Sequence, residues 1–181
     1  MGYFTSLIQR KFKDVAGTRY DTVMREYREF LLTEEERKIP EVRSILMPLD
    51  YFVKEIPPAL YETLSSYEGA TVSLVYIIDL EVIRIVEDSL NADTMAEFKR
   101  KREAFGDEIL QKATADLEKA GLSVKSRMFS GRKFDNIQEI AESHDMIAVS
   151  KKYAASMTDV APVSPVTMRL AQTVTKPIII Y

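Results

Sequence analysis

Short, dense apolar runs separated by longer stretches of helical periodicity constrain this chain more than any other feature. The run Ile45, Leu46, Met47 inside SILMPLD is broken at once by Pro48 and Asp50. It is too short for a helix of ordinary length, and its lack of polar alternation predicts a strand buried on both faces of a parallel sheet. Thr71 to Ile78, TVSLVYII, is β-branched and aromatic, contains no breaker and ends at Asp79, which predicts a second such strand. Met146 to Val149 and the terminal IIIY after Pro177 repeat the pattern, while the alternating Val124 to Phe129 suits a sheet edge. In open α/β sheets the working crevice lies beyond the carboxyl ends of the strands. Asp50, ending the first and central strand, is therefore the first candidate for a functional side chain; the plain alternative is an aspartate that caps a turn.

Helical signals fill the gaps between the runs. Pro57 and Pro58 open a helix carrying Leu60, Leu64 and Tyr67 and stopped by Gly69, and Leu80 to Leu90 reads as a short amphipathic connector. Thr94 with Glu97 reads as a capping box for a long helix. Its stripe Met95, Phe98, Arg102, Phe105, Ile109, Ala113, Leu117 and Ala120 runs to Gly121. The basic run Lys99 to Arg102 is flanked by acids and is read as a solvated face. Gly131 is expected to turn the chain, Asp135 with Gln138 to open a helix bearing Ile137, Ile140 and Ala141, and His144 to sit on the surface. Ser150 to Val163 lacks apolar periodicity and is expected to be a functional or mobile loop before a helix that begins at Ser164 and Pro165. This alternation predicts a doubly wound, five-stranded parallel sheet over residues 43–181, with Ser44 to Leu49 in the middle.

Residues 1–42 carry helical periodicity with no strand-like run, and are expected to form a helical N-terminal extension. Tyr20, Val23, Met24, Tyr27, Phe30 and Leu31 make one apolar stripe, and Thr33 with Glu36 resembles a capping box. An amphipathic stripe of this kind docks on its own domain or on a protein partner; a membrane-surface helix over Phe4 to Val15 is the alternative. The pattern MGYFTS fits N-terminal lipidation at Gly2 only loosely, and so short a pattern arises by chance.

Composition removes several classes of function. The chain has 181 residues, a net charge of -3, no cysteine and one histidine. Thiol catalysis, disulfides and thiolate metal sites are excluded, little is left for zinc, and the acidic balance argues against nucleic acid as a partner. No apolar run approaches the roughly 20 residues that span a bilayer, so membrane association is not expected and a cytoplasmic location is.

With the order of elements set, residues 43–181 resemble the universal stress protein family. The resemblance rests on RSILMPLD, on ATVSLVYIID, on Gly131 six residues before Ile137, on DMIAVS and on the closing TKPIIIY. It implies a flavodoxin-like sheet of order 3-2-1-4-5, usually dimeric, with some members binding ATP at the strand ends. Carried over residue by residue, Asp50 would face the adenosine, Ile77 would lie beside the adenine, and Ser164 at a helix start would meet phosphate. The departures are as informative. ATP-binding members wrap the phosphates in a loop of pattern G-x-x-G, nine residues, then G-S or G-T, and here Ser150, Tyr153 and Val163 stand at the glycine positions. Bulky Tyr51 and Phe52 follow Asp50 where the family usually has small residues. Lys151 and Lys152 lie within the loop and offer two ammonium groups to an anion.

The resulting expectation is a regulatory or binding module acting as a homodimer, with a degenerate nucleotide loop and no tight cofactor, ATP or AMP binding at most with low affinity. The alternative is an adenine-nucleotide-binding stress protein with slow or no hydrolysis. No activated nucleophile, metal cluster or P-loop is visible, so an enzyme on a related scaffold is the weakest reading.

Overall fold

Why the first apolar run becomes the middle of a sheet is visible in its neighbours. The computed structural model describes residues 41–53, 55–88, 91–155 and 161–181; the expectations placed on residues 1–40 lie outside them. Strand β1 (Ser44–Leu49) pairs in parallel with β2 (Thr71–Asp79) along its whole length and with β4 (Met146–Val149) on its other side. Strand β3 (Ser123–Gly131) flanks β2, and β5 (Ile178–Ile180) flanks β4, which gives one parallel sheet of order β3-β2-β1-β4-β5. Ile45, Leu46, Met47 and Leu49 are all fully buried, as a central strand covered on both faces requires. Residues 42–181 form one compact unit.

The helices follow from the crossovers. They are α1 (Pro58–Ser65), α2 (Leu80–Glu87), α3 (Ala92–Lys119), α4 (Lys133–Ala141) and α5 (Pro165–Thr173). The chain moves outward from β1 through β2 to β3, then returns past β1 to β4 and β5. Right-handed crossovers therefore place α1 and α3 on one face and α4 and α5 on the other. No helix among the described residues is long and apolar enough to cross a membrane.

The two ends of the β1–β4 pair differ. At the start, Asp145 clamps the strands together: its carboxylate accepts from the amides of Arg43 and Ser44 at 3.0 and 2.9 Å and from the Ser44 hydroxyl at 2.8 Å. The Ser44 hydroxyl and then these amides hold the Asp145 carboxyl below its ordinary pKa. At the other end the pairing stops after Leu46, although β1 still runs beside β2 to Leu49. The carbonyl of Arg43 accepts from Thr71 towards β2, and that of Ser44 accepts from Asp145 towards β4. Alternation then aims the Pro48 nitrogen at β4, where it has no hydrogen to donate. The sheet parts where the two loops leave it.

Several local expectations are corrected. Helix α3 begins one turn before Thr94: the Asn91 side chain caps it by accepting from the Thr94 amide at 2.9 Å, so Thr94 is not the cap. Likewise α4 begins at Lys133, with Asp135 already inside its first turn and no side-chain cap. Gly131 does not turn the chain but ends β3, paired with Asp79. His144 is half-buried, with Nδ1 2.8 Å from the carbonyl oxygen of Ile140.

The inner face of α3 is also rotated from the expected stripe, towards Gly106, Leu110, Ala113 and Leu117, with Phe105 and Ile109 only half-buried. Gly106 explains the shift, because it lets the helix approach the sheet closely. A Cβ there would stand 2.5 Å from Met128 Sδ and 2.7 Å from Cδ1 of the buried Tyr76 ring. Overpacking costs about 1–3 kcal/mol, against roughly 1 kcal/mol gained from replacing a helical glycine. Gly106→Ala is therefore expected to lower stability by up to about 2 kcal/mol in urea unfolding; the gain seen for an open helical glycine would show that the helix has room to move away.

Candidate functional site

The parting of β1 from β4 leaves a crevice, and Asp50 stands in it, 1% exposed. A buried carboxylate is costly unless several donors surround it. Here Oδ1 accepts from the Phe52 amide at 3.0 Å in a local turn. Oδ2 accepts from the Lys133 ammonium at 2.8 Å and from the Ala154 amide at 2.7 Å. Lys133 opens α4 and is itself only 11% exposed on its side chain. Its Nζ lies 5.9 Å from the centre of the Phe52 ring and 5.7 Å from that of Tyr153.

The loop after β4 folds inward. Ser150 and Ser164 are buried, and Tyr153 between them is completely so. The Ser164 hydroxyl donates to the Tyr153 carbonyl, caps α5 by accepting from the Thr167 amide at 3.1 Å, and lies 3.0 Å from Thr167 Oγ1. Thr167 in turn donates to the Ser150 carbonyl at 2.8 Å. The Lys152 amide donates to the Ser150 hydroxyl at 3.2 Å, and the Lys151 amide donates to the Tyr181 carbonyl at 2.8 Å. Ala154 takes a left-handed φ of 68°, the one non-glycine residue to do so among those described. The expected mobile loop is thus well packed from Ser150 to Ala155, while residues 156–160 lie outside the description. The Tyr153 hydroxyl finds no hydrogen-bond partner among the described residues, and burial pushes its pKa well above the ordinary phenol value, so it stays neutral.

Two cavities flank this arrangement. A cleft of about 780 Å³ is lined by Ser150, the exposed Lys151 and Lys152, Glu55 and Tyr181. A smaller one of about 180 Å³ is lined by Tyr76, Ile77, Asp79, Phe98, Arg102 and Lys133. Tyr51 and Phe52 line both. The Arg102 guanidinium lies 4.5 Å from the Tyr51 ring centre and 5.1 Å from that of Phe98. Burial, only partly opposed by Arg102, pushes the Tyr76 phenol up to about 12.

The structure therefore brings Asp50, Ser150, Lys151, Lys152 and Ser164 to one crevice and sets Ile77 on the wall of the separate small cavity. Ser164 points into the loop it caps. Sequence reasoning missed Lys133 and the inward course of Tyr153. Topology held a signal for Lys133, since the crossover from edge strand β3 must return across β2 and β1, which brings its first turn near the end of β1. No group of three metal-type ligands occurs among the described residues.

No protein-family model matches this sequence, and no curated protein matches it either. Solved structures do match, over most of the chain. The hypothetical protein MJ0577 superposes with a TM-score of 0.61 at 21% identity, over 77% of this chain and 95% of that one. Universal stress protein UspA from Lactobacillus plantarum gives 0.59 at 14% identity, over 78% and 99%. A universal stress protein in complex with cAMP gives 0.53 at 13%, over 78% and 97%. Sheet order, crossovers and crevice define a doubly wound, flavodoxin-like α/β protein. Its fold is that of the universal stress proteins.

Removing one partner of a buried ion pair leaves the other uncompensated, typically at about 3–5 kcal/mol. Two amides would remain on Asp50, so Lys133→Met is expected at the low end, a loss of about 3 kcal/mol in urea unfolding. No measurable loss would mean that the amides alone satisfy the carboxylate.

Proposed function

We propose that this chain is a universal-stress-protein-like regulatory or binding module that acts as a homodimer, with a nucleotide loop too altered to hold ATP tightly. One observation carries the reading: Asp50 and Ser164, the side chains expected to meet a nucleotide, already have partners within the chain. Asp50 is engaged by Lys133 and Ala154, and Ser164 by Tyr153 and Thr167. A phosphate-binding loop needs several amides converging on one point, with glycines allowing the close approach. Here the amides of Lys151 and Ala154 point at Tyr181 and Asp50 instead. Lys151 and Lys152 remain at the cleft, but exposed ammonium groups contribute only about 1 kcal/mol each. No catalytic step is assigned.

Adenine-nucleotide binding with slow or no hydrolysis is the second reading. It is favoured by the small cavity, where Ile77 and aromatic rings could enclose a planar base beside the lysine-lined cleft, and by the solved relative in complex with cAMP. Calorimetry of the full chain with ATP, with and without magnesium, separates the two. We expect no dissociation constant at or below about a micromolar, equivalent to roughly -8 kcal/mol. Affinity at that level would overturn the first reading.

Support for a dimer comes from β5. It ends the sheet with Ile178, Ile179 and Ile180, and Ile180 is 42% exposed. An apolar edge strand of this kind invites pairing. Sedimentation at micromolar concentration is expected to give a dimer; monomer alone would refute it. If deleting residues 1–40 gives monomer, a contact through the N-terminal extension holds the pair instead.

A further inference from the structure

We infer that the free edge of β3 is a docking site for an extended polypeptide segment in which acidic and apolar side chains alternate, added to the sheet as a further strand.

The backbone supplies the first argument. Strand β3 closes one side of the sheet, pairs with β2 residue for residue from Ser123 to Gly131, and has no strand on its other flank among the described residues. The Thr71 amide donates to Arg43 on β1, so alternation turns Val72 and every second residue after it towards β3. In a parallel pair, the residue directly across from one that bonds inward faces outward. With Val72 opposite Val124, the amides and carbonyls of Val124, Ser126, Met128 and Ser130 therefore face away from the sheet. No proline or bulge interrupts this row, and such an edge is a template for another strand.

Side chains then select the partner. Lys125 and Arg127 are exposed on the face away from α3, with the Arg127 guanidinium 5.4 Å from the centre of the Phe129 ring. Helix α4 packs on β1 and β2 and leaves that face of β3 open. No acid occurs between Ser123 and Gly131. On the other face a groove of about 440 Å³ runs between α3 and β3, with Leu110, Ala115 and Met128 in its walls beside Asp107 and Glu118.

A strand laid along β3 would present alternate side chains to the two faces. Acids suit the face of Lys125 and Arg127, whereas in the groove they would meet Asp107 and Glu118, so apolar side chains belong there. A second copy fits poorly. Two β3 edges paired antiparallel over their whole length set Arg127 against its own counterpart, like charge on like. None of Lys125, Ser126, Arg127 and Met128 lines either strand-end cavity, so the surface is independent of the nucleotide reading.

The test uses the full chain and a fluorescein-labelled peptide of alternating valine and glutamate as long as β3, nine residues, followed by fluorescence anisotropy. Saturable binding is expected, weakening as salt rises. A valine–lysine peptide of equal length is expected to bind at least about tenfold less tightly, because the contacts with two exposed charges change sign. Ser126→Pro removes an outward amide hydrogen at a position where an edge strand tolerates proline, and is expected to lose the binding. Lys125→Glu combined with Arg127→Glu is expected to reverse the preference between the peptides. No saturable binding of the glutamate peptide, equal binding of both peptides, or undiminished binding by a folded Ser126→Pro chain would each overturn the proposal. Should the proline variant fail to fold, the charge reversal decides, since it alters only exposed side chains; an unchanged preference would overturn the proposal. A wild-type assembly that a folded Ser126→Pro chain no longer forms in sedimentation would place a second copy on β3 and overturn it likewise.

Discussion

One buried carboxylate organises the functional end of this molecule. Asp50 draws its donors from its own turn, from α4 and from the loop after β4, at sequence separations of 2, 83 and 104. In a low-dielectric setting each donor matters, because an incompletely solvated carboxylate destabilises the fold that contains it. Charge neutrality within the crevice, and the inward course of the loop, thus depend on the same oxygen atoms. A ligand group that sought Asp50 would have to displace one of these donors.

The carboxylate sits where it does because β1 and β4 form a wedge. Asp145 ties the pair together at one end, and the missing hydrogen on Pro48 leaves them unpaired at the other. Doubly wound sheets open at this point in any case, since successive crossovers leave on opposite faces. Pro48 sharpens that general tendency into a local gap. Tyr153 enters from the β4 side, and Tyr51 and Phe52 follow from the β1 side.

Features that depend on burial alone were legible in the sequence. The unbroken apolar runs at Ile45 to Met47 and Met146 to Val149 could be satisfied only inside a two-sided sheet, whereas the strand order was legible only through the family resemblance. Helix starts were less legible, because a capping pattern records that two side chains can meet, not that they do. Asn91 satisfies the first turn of α3 before Thr94 is reached, and α4 starts ahead of Asp135. Lys133 was hidden from local patterns for a different reason, and only the topology pointed to it. Its partner lies 83 residues away, and no local pattern marks a long-range ion pair. Tyr153 was noticed only as a residue that could not act as glycine; where its ring would go depended on the space that α4, β1 and β4 leave between them.

That destination has an energetic logic. A side chain in place of a glycine beside a crevice must either project into water or fill the gap. Burying a tyrosine removes about 150–250 Å² from water, worth roughly 4–6 kcal/mol at 25 cal/mol per Å² as an upper estimate. Against it stand a left-handed alanine at about 1–2 kcal/mol and an unpartnered buried hydroxyl at about 1–3 kcal/mol. The opposing terms are of similar size, so the inward loop is favoured by a small difference and not by the whole burial energy. A phenylalanine at 153 would keep the buried ring and remove the hydroxyl penalty, whereas a glycine would remove the ring and its burial energy. Tyrosine lies between these extremes: its ring is completely buried, while its hydroxyl has no partner among the described residues.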